Sequence, residues 1–336
     1  ETIVNKIYLI KKGNNGATYI FNTKDINSII LSLKFYRTFT FKQYLVKAVL
    51  FSNLVIAKYF SKSKLLDIQK VKEYLKINTL ESIDFDINEN SSILISPTND
   101  KIIIHKHDKN SFIKYAFGKS LDGVKNESNI YKLFENTKYF NTSKLSNFYS
   151  DENYCNFELI NEDFSKKSED LVNILVEFFE LNKKEITLNE YINTNFINIQ
   201  NELKNKLLTL FGKYDIHTFN IGLVHKDFKP WNMDMTKGPL IYDFEETTLA
   251  FAGEDLINYY IDPLISYESV ENIINILKSK SLNESLKEYS KKLNQTFKNE
   301  FLISHYLIER IYFWGNKNKK DLADKYFDIL KAFSNE

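Results

Sequence analysis

The 336-residue chain carries 45 basic and 44 acidic side chains, a net charge of +1, and is 43% hydrophobic and 26% charged. That composition suits two or three packed lobes, excludes a disordered protein and gives no reason to expect a nucleic-acid partner. One cysteine, Cys155, excludes an internal disulfide and suits a reducing cytosol, and the most apolar run, Ala48 to Ala57, is too short to cross a bilayer.

The charge is unevenly spread. Residues 1–76 hold fourteen Lys or Arg against four Asp or Glu, a net of +10, so the remainder carries −9. A basic end on an acidic chain fits an anionic partner such as a membrane surface or a charged glycan, or a plain solvated basic face.

Residues 6–22 predict a hairpin, with alternating apolar positions on either side of Gly13-Asn14-Asn15-Gly16. Asp25 then precedes Ile26, Ile29, Ile30 and Leu33, the spacing of a helix with an acidic N-cap. Phe41 to Phe60 predicts an aromatic-rich helix containing Lys42, Lys47 and Lys58. Such a helix lies either in a membrane interface or, our preferred reading, against its own protein. A further helix is expected within 64–80. Residues 1–90 contain no chemical motif and are taken as an accessory region.

Ser92–Ser96 and Lys101–His107 read as strands joined by Pro97-Thr98-Asn99-Asp100, and Ser111–Phe117 as a third. His105 and His107 share one strand face, but no further ligand is near, so they read as an exposed strand end rather than a metal site. A helix is expected over about 121–136, carrying Glu127 and Glu135, then a strand at Tyr154–Ile160 and a helix at Glu169–Leu181 with Leu171, Ile174, Leu175, Phe178 and Phe179 on one face. Residues 187–213 predict one or two helices, and about 266–334 predict amphipathic helices.

The stretch with chemistry is IGLVHKDFKPWNMDMTKGPLIYDFEE, residues 221–246. Apolar runs at Ile221–Val224 and Pro239–Tyr242 read as strands that deliver Asp227, Asn232 and Asp243 to neighbouring loops. Phosphoryl transfer needs a carboxylate to orient a hydroxyl and take its proton, and hard oxygen ligands for magnesium. Asp227 suits the first task, Asn232 and Asp243 the second.

HKDFKPWN resembles the catalytic-loop pattern H-R-D-x-x-x-x-N of the protein-kinase-like superfamily, with DFE where protein kinases carry D-F-G. It is most similar to the aminoglycoside phosphotransferase and choline kinase group, which phosphorylates small molecules. Glu245 replaces the glycine of protein kinases, and no A-P-E segment follows. Recognisable landmarks span about 91–265.

The resemblance implies an α+β, bilobal kinase-like fold. A small lobe over 91–161 would have an antiparallel sheet and one helix, and a larger helical lobe would cover 162–336. It implies ATP or GTP with Mg2+ as cofactors. Lys114 would hold the α- and β-phosphates and Glu127 would hold Lys114. Nucleotide contacts would also fall around Glu158 to Asn161, chiefly Glu158 and Ile160. Asn232 and Asp243, with Glu245 in support, would ligate the metal. The glycine-rich phosphate loop of kinases has no glycine here. His225 and Trp231 would have packing roles, Lys229 would sit near the transferred phosphate, and Asp255 would either support the catalytic loop or cap a helix. The implied enzyme is a cytoplasmic phosphotransferase acting on a sugar or surface-glycan hydroxyl, with choline, other amino alcohols or aminoglycosides as second choices. A protein kinase or a non-catalytic binding module are further alternatives. The basic segment 1–76 allows peripheral association with the inner membrane face.

Overall fold

A computed structural model describes residues 6–13, 16–35, 41–79, 83–134, 137–161, 167, 170–234 and 238–334. The expectations on Asn14, Asn15, Glu135 and Glu169 fall outside them. The chain forms two compact units, 1–134 with 142–164, and 135–141 with 165–336. Its character is α+β, as expected.

The first unit is built on a seven-stranded antiparallel sheet. Strands β1 (Tyr8–Lys12) and β2 (Thr18–Asn22) form the predicted hairpin. Helix α1 (Ile26–Ser32) follows, its N-cap Asp25 accepting from the Ser28 amide at 2.7 Å. Helices α2 (Phe41–Phe60) and α3 (Ile68–Asn78) lead to β3 (Ser91–Ile95), β4 (Lys101–Lys106) and β5 (Ser111–Phe117). Helix α4 (Leu121–Tyr131), β6 (Lys144–Ser150) and β7 (Tyr154–Ile160) complete the unit. The strand order is β1-β2-β3-β4-β5-β7-β6, so the first hairpin continues the sheet, with Thr18 opposite Ile95.

Alternation sorts the side chains. Ile20, Ile93, Ile95, Ile102, Ile104, Ile113 and Tyr115 join Val71 and Leu75 of α3 in one buried cluster. A smaller cluster of Phe21, Ile29, Leu33 and Leu54 packs α1 and α2 together.

His105 is 1% exposed and stacks on Phe112 with centroids 4.4 Å apart. The exposed-strand-end reading is therefore corrected. Burial pushes His105 down to about 3 and His107 to about 4, with repulsion from Lys34 adding to both, so both rings are neutral at neutral pH.

The second unit is mainly helical. It comprises α5 (Leu171–Glu180), β8 (Lys184–Thr187), α6 (Leu188–Asn195), α7 (Asn201–Lys213), β9 (Thr218–Val224), β10 (Met233–Asp234), β11 (Leu240–Ile241) and β12 (Thr248–Phe251). Then come α8 (Glu254–Ile261), α9 (Val270–Leu277), α10 (Lys280–Lys292), α11 (Asn299–Asn316) and α12 (Lys320–Ser334). Strand β9 lies between β12 and β8, and β10 pairs with β11.

Strand β9 is the scaffold of the site. A Cβ on Gly222 would lie 2.3 Å from the Phe179 carbonyl oxygen and 2.7 Å from its ring, so only glycine lets β9 approach α5 this closely. Helix α11 is buried nearly all round, from Phe301 to Ile311, and forms the centre of the unit. Among the described residues, no helix is long and apolar enough to cross a membrane.

Candidate active site

In the first unit, Lys114 points from β5 to Glu127 on α4, with Nζ 2.5 Å from Oε2. Glu127 is 1% exposed and Lys114 7%, so the pairing offsets part of the cost of burying both charges. Nζ also lies 5.9 Å from the Phe157 ring centre. Glu158 turns its carboxylate to the Ser111 hydroxyl at 2.8 Å and the Ser146 hydroxyl at 3.4 Å. Ile160 is held in the sheet between Ser111 and Lys144. At the β3–β4 turn, Asp100 accepts from the Ser96 hydroxyl at 2.9 Å and from Thr98. These hydroxyls, with that of Ser120, outweigh burial and hold Asp100 below the ordinary carboxylate range.

In the second unit, β9 ends at Val224 and the loop begins. Asp255, the second residue of α8, accepts from the His225 amide at 2.6 Å and the Lys226 amide at 3.0 Å. The helix N-cap is Gly253 at φ +88°, so Asp255 supports the loop and does not cap the helix. Burial raises Asp255, and the charge and amides of the loop only partly offset this. His225 is fully buried, with Nε2 3.1 Å from the Tyr242 carbonyl. A carbonyl only accepts, so that nitrogen carries the proton. His225 thus ties the loop to the strand that precedes Asp243.

Lys226 takes the left-handed conformation, φ +65°. Its ammonium is buried 2.5 Å from Glu254 Oε2 and 2.8 Å from Glu309 Oε1. Burial alone would lower it, but the two carboxylates outweigh that and raise it. Glu254 is pushed up to about 8, by burial first, with Lys226 opposing and Glu309 adding to the rise. The Lys226 carbonyl accepts from Arg310 Nη1 at 3.0 Å and from Asn258 Nδ2 at 3.4 Å.

These contacts fix Asp227. Its Oδ1 lies 2.6 Å from Lys229 Nζ, and its Oδ2 accepts from Asn232 Nδ2 at 2.9 Å. Asn232 also donates to the Asp227 carbonyl at 2.8 Å. Lys229 reaches Asp262 at 2.7 Å, and Asp262 in turn holds Arg310 at 3.0 Å and the Tyr326 hydroxyl at 3.1 Å. Asp262 and Asp227 raise Lys229 against the effect of burial.

Asp243 is at φ +71°, an uncommon conformation for a residue with a side chain. Phe244 anchors the segment, fully buried and stacked on Phe178 at 5.8 Å. Asp227, Asp243 and Glu245 line one cavity of about 220 Å3 with Glu246, Phe313, Trp314 and Lys317. A second cavity of about 550 Å3 shares Glu246, Phe313 and Lys317 with it, and is also lined by Lys184, Thr194, Asn195, Glu309 and Tyr312.

The second unit thus brings Asp227, Asn232, Asp243 and Glu245 together, and the first unit pairs Lys114 with Glu127. The sequence reading passed over Glu254, Asn258, Asp262, Glu309 and Arg310. One signal was present. Asp255 and Asn258 in α8 and Asp262 just after it stand at i, i+3 and i+7 among largely apolar neighbours, a polar stripe that needs a polar partner.

No protein-family pattern and no curated protein matches the chain. Solved structures do. The aminoglycoside phosphotransferase APH(4)-Ia is similar at 10% identity, over 78% of this chain and 98% of that one, with a TM-score of 0.41. An ethanolamine kinase of Plasmodium vivax is 13% identical over 92% and 94%, with a TM-score of 0.41. A putative fructosamine-3-kinase from Haemophilus somnus 129PT is 9% identical over 76% and 96%, with a TM-score of 0.40.

Proposed function

We propose that the chain is an ATP- or GTP-dependent small-molecule phosphotransferase that uses Mg2+, moving the γ-phosphate to an acceptor hydroxyl. The observation that carries this reading is the Asp227 carboxylate. Asn232 and Lys229 hold its two oxygens at 2.9 and 2.6 Å, and it lines one cavity with Asp243 and Glu245. Asp227 orients the hydroxyl and takes its proton. Lys229 holds the carboxylate plane and keeps a cation beside it. Lys114, fixed by Glu127, aligns the α- and β-phosphates, and the main chain around Glu158 and Ile160 receives the base.

The donor set fits magnesium. Asp243 and Glu245 offer hard carboxylate oxygens in one cavity. Asn232 has its amide nitrogen committed to Asp227, which leaves Oδ1 as its ligand atom. Bound there, the metal supplies neutralisation of the charge on the phosphates.

The 550 Å3 cavity is the acceptor site in this reading, because it adjoins the Asp227 cavity through Glu246, Phe313 and Lys317. Its lining mixes two amides, two threonines, two carboxylates and three lysines with one tyrosine, one phenylalanine and two aliphatic side chains. Such a lining suits a polyhydroxyl acceptor, a sugar or glycan precursor, better than an aromatic cage for choline. Aminoglycosides and amino alcohols come second. The cytosol, where the nucleotide is, is the compartment that goes with this reading, and an anionic membrane surface is taken up below.

The test is nucleotide turnover against a panel of sugars, amino alcohols and aminoglycosides, with Asp227→Ala beside the natural chain. A sugar is expected to stimulate turnover. The variant is expected to lose at least about a thousandfold in kcat, with nucleotide affinity changed less than about threefold. Turnover in the variant within tenfold of the natural chain would remove Asp227 from the mechanism.

A further inference from the structure

Helix α2 is apolar on both sides. Its inner side buries Leu54 and Ala57, with Leu54 packed against Phe21, Ile29 and Leu33. Its outer side shows Leu45, Val49, Ile56 and Tyr59, each 51–61% exposed, and Phe60, 83% exposed. At 100° per residue these five positions fall within one sector of the helix, a stripe of about 22 Å at 1.5 Å per residue that is broken by Ser52, whose hydroxyl is turned back to the Ala48 carbonyl at 3.1 Å. Helix α1 adds Ile30, 53% exposed. The Lys58 ammonium ties α2 to the loop before α1, donating to the Thr23 carbonyl at 3.2 Å and to the Lys24 carbonyl. The stripe is therefore presented on a fixed support. An exposed apolar surface of this extent marks a contact with something else.

Charge selects the partner. Residues 1–76 carry a net +10, and Lys24, Lys34 and Lys64, at the ends of these helices, are all exposed. A second copy docking through this region would bring one net-basic segment against another. An anionic lipid surface receives the lysines at its headgroups and the apolar stripe, with the Tyr59 ring, at the acyl boundary. We propose that the outer face of α2 seats the protein in the interface of an anionic membrane, lying on it and not crossing it. This is independent of the phosphotransferase reading.

The test is co-sedimentation of the full chain, without nucleotide, with vesicles of phosphatidylcholine alone or containing about 30% phosphatidylglycerol. Binding to the anionic vesicles is expected to be at least about tenfold tighter and to weaken sharply on going from about 0.1 M to about 1 M salt. Val49→Glu/Ile56→Glu is expected to lose that binding about tenfold with an unchanged melting temperature, because both sites face solvent. Lys24→Gln/Lys34→Gln/Lys64→Gln leaves the stripe intact and is expected to lose the anionic preference. The proposal is overturned if the natural chain stays in the supernatant, or if the glutamate variant binds equally well. It is also overturned if light scattering shows a dimer that the glutamate variant abolishes while vesicles bind neither form.

Discussion

Lys226→Met tests the buried cluster behind the loop. Methionine keeps most of the stem and removes the ammonium, which lies 2.5 Å from Glu254 and 2.8 Å from Glu309. Burial and Glu309 raise Glu254 against the opposing pull of Lys226, so without the ammonium Glu254 takes up a proton and the substitution strands one carboxylate, that of Glu309. Removing one partner of a buried pair costs about 3–5 kcal/mol, chiefly through the charge left behind. Lys226→Met/Glu309→Gln removes that charge, and its cost should fall below about 2 kcal/mol, the scale of an imperfectly bonded amide. The assay is urea unfolding followed by tryptophan emission. The only tryptophans are Trp231 in this loop and Trp314 on α11, so the signal reports on the region itself. If the single variant loses less than about 1 kcal/mol, or the double variant is as unstable as the single, the ammonium is not what keeps these carboxylates buried.

Other perturbations probe the rest of the fold. Gly222→Ala puts a methyl 2.3 Å from the Phe179 carbonyl and should cost about 3 kcal/mol, read as a lowered melting temperature; an unchanged value would mean that β9 and α5 separate freely. Asp255→Ala leaves the buried amides of His225 and Lys226 without their acceptor and should lower kcat by at least about tenfold with nucleotide affinity intact, because it acts on the loop that places Asp227; a selective loss of nucleotide affinity would contradict that. Stability should peak near pH 6.5. His105, His107 and His305, at about 3, 4 and 3, refuse in the folded chain protons that they accept when unfolded below about 6.5, so stability rises with pH up to there. Glu254, raised from 4.5 to about 8, keeps a proton that the unfolded chain releases, so stability falls as pH approaches 8. Melting temperatures that climb steadily through pH 8 would show that Glu254 is ionised.

The sequence was most legible where one local rule decides the structure. The pairing of β1 with β2, the Asp25 cap and the strands Ser111–Phe117 and Tyr154–Ile160 are of that kind. It was least legible at β6 and β12. The first is an edge strand exposed at nearly every position, and the second has only four residues, so neither leaves a periodic pattern. The H-x-D-x-x-x-x-N spacing placed Asp227 and Asn232 in contact because the loop is short. Its supports were hidden because they arrive from α8 and α11, more than 25 residues away. The histidines misled for a related reason. Alternation gives the face that His105 occupies, but not that Phe112 covers it.

The Lys226 ammonium is neutralised by a residue 83 positions later, and its carbonyl is held by another 84 positions later. Synthesis runs from the N-terminus, so the segment bearing Asp227 leaves the ribosome well before either partner has been translated. Until then the ammonium lacks one of its two carboxyl partners and the bend lacks one clamp. A message broken, or translation halted, before Glu309 yields a chain with all of H-x-D-x-x-x-x-N and D-F-E but without Glu309 and Arg310 behind the loop. Translation past Arg310 is thereby made a condition for a finished loop.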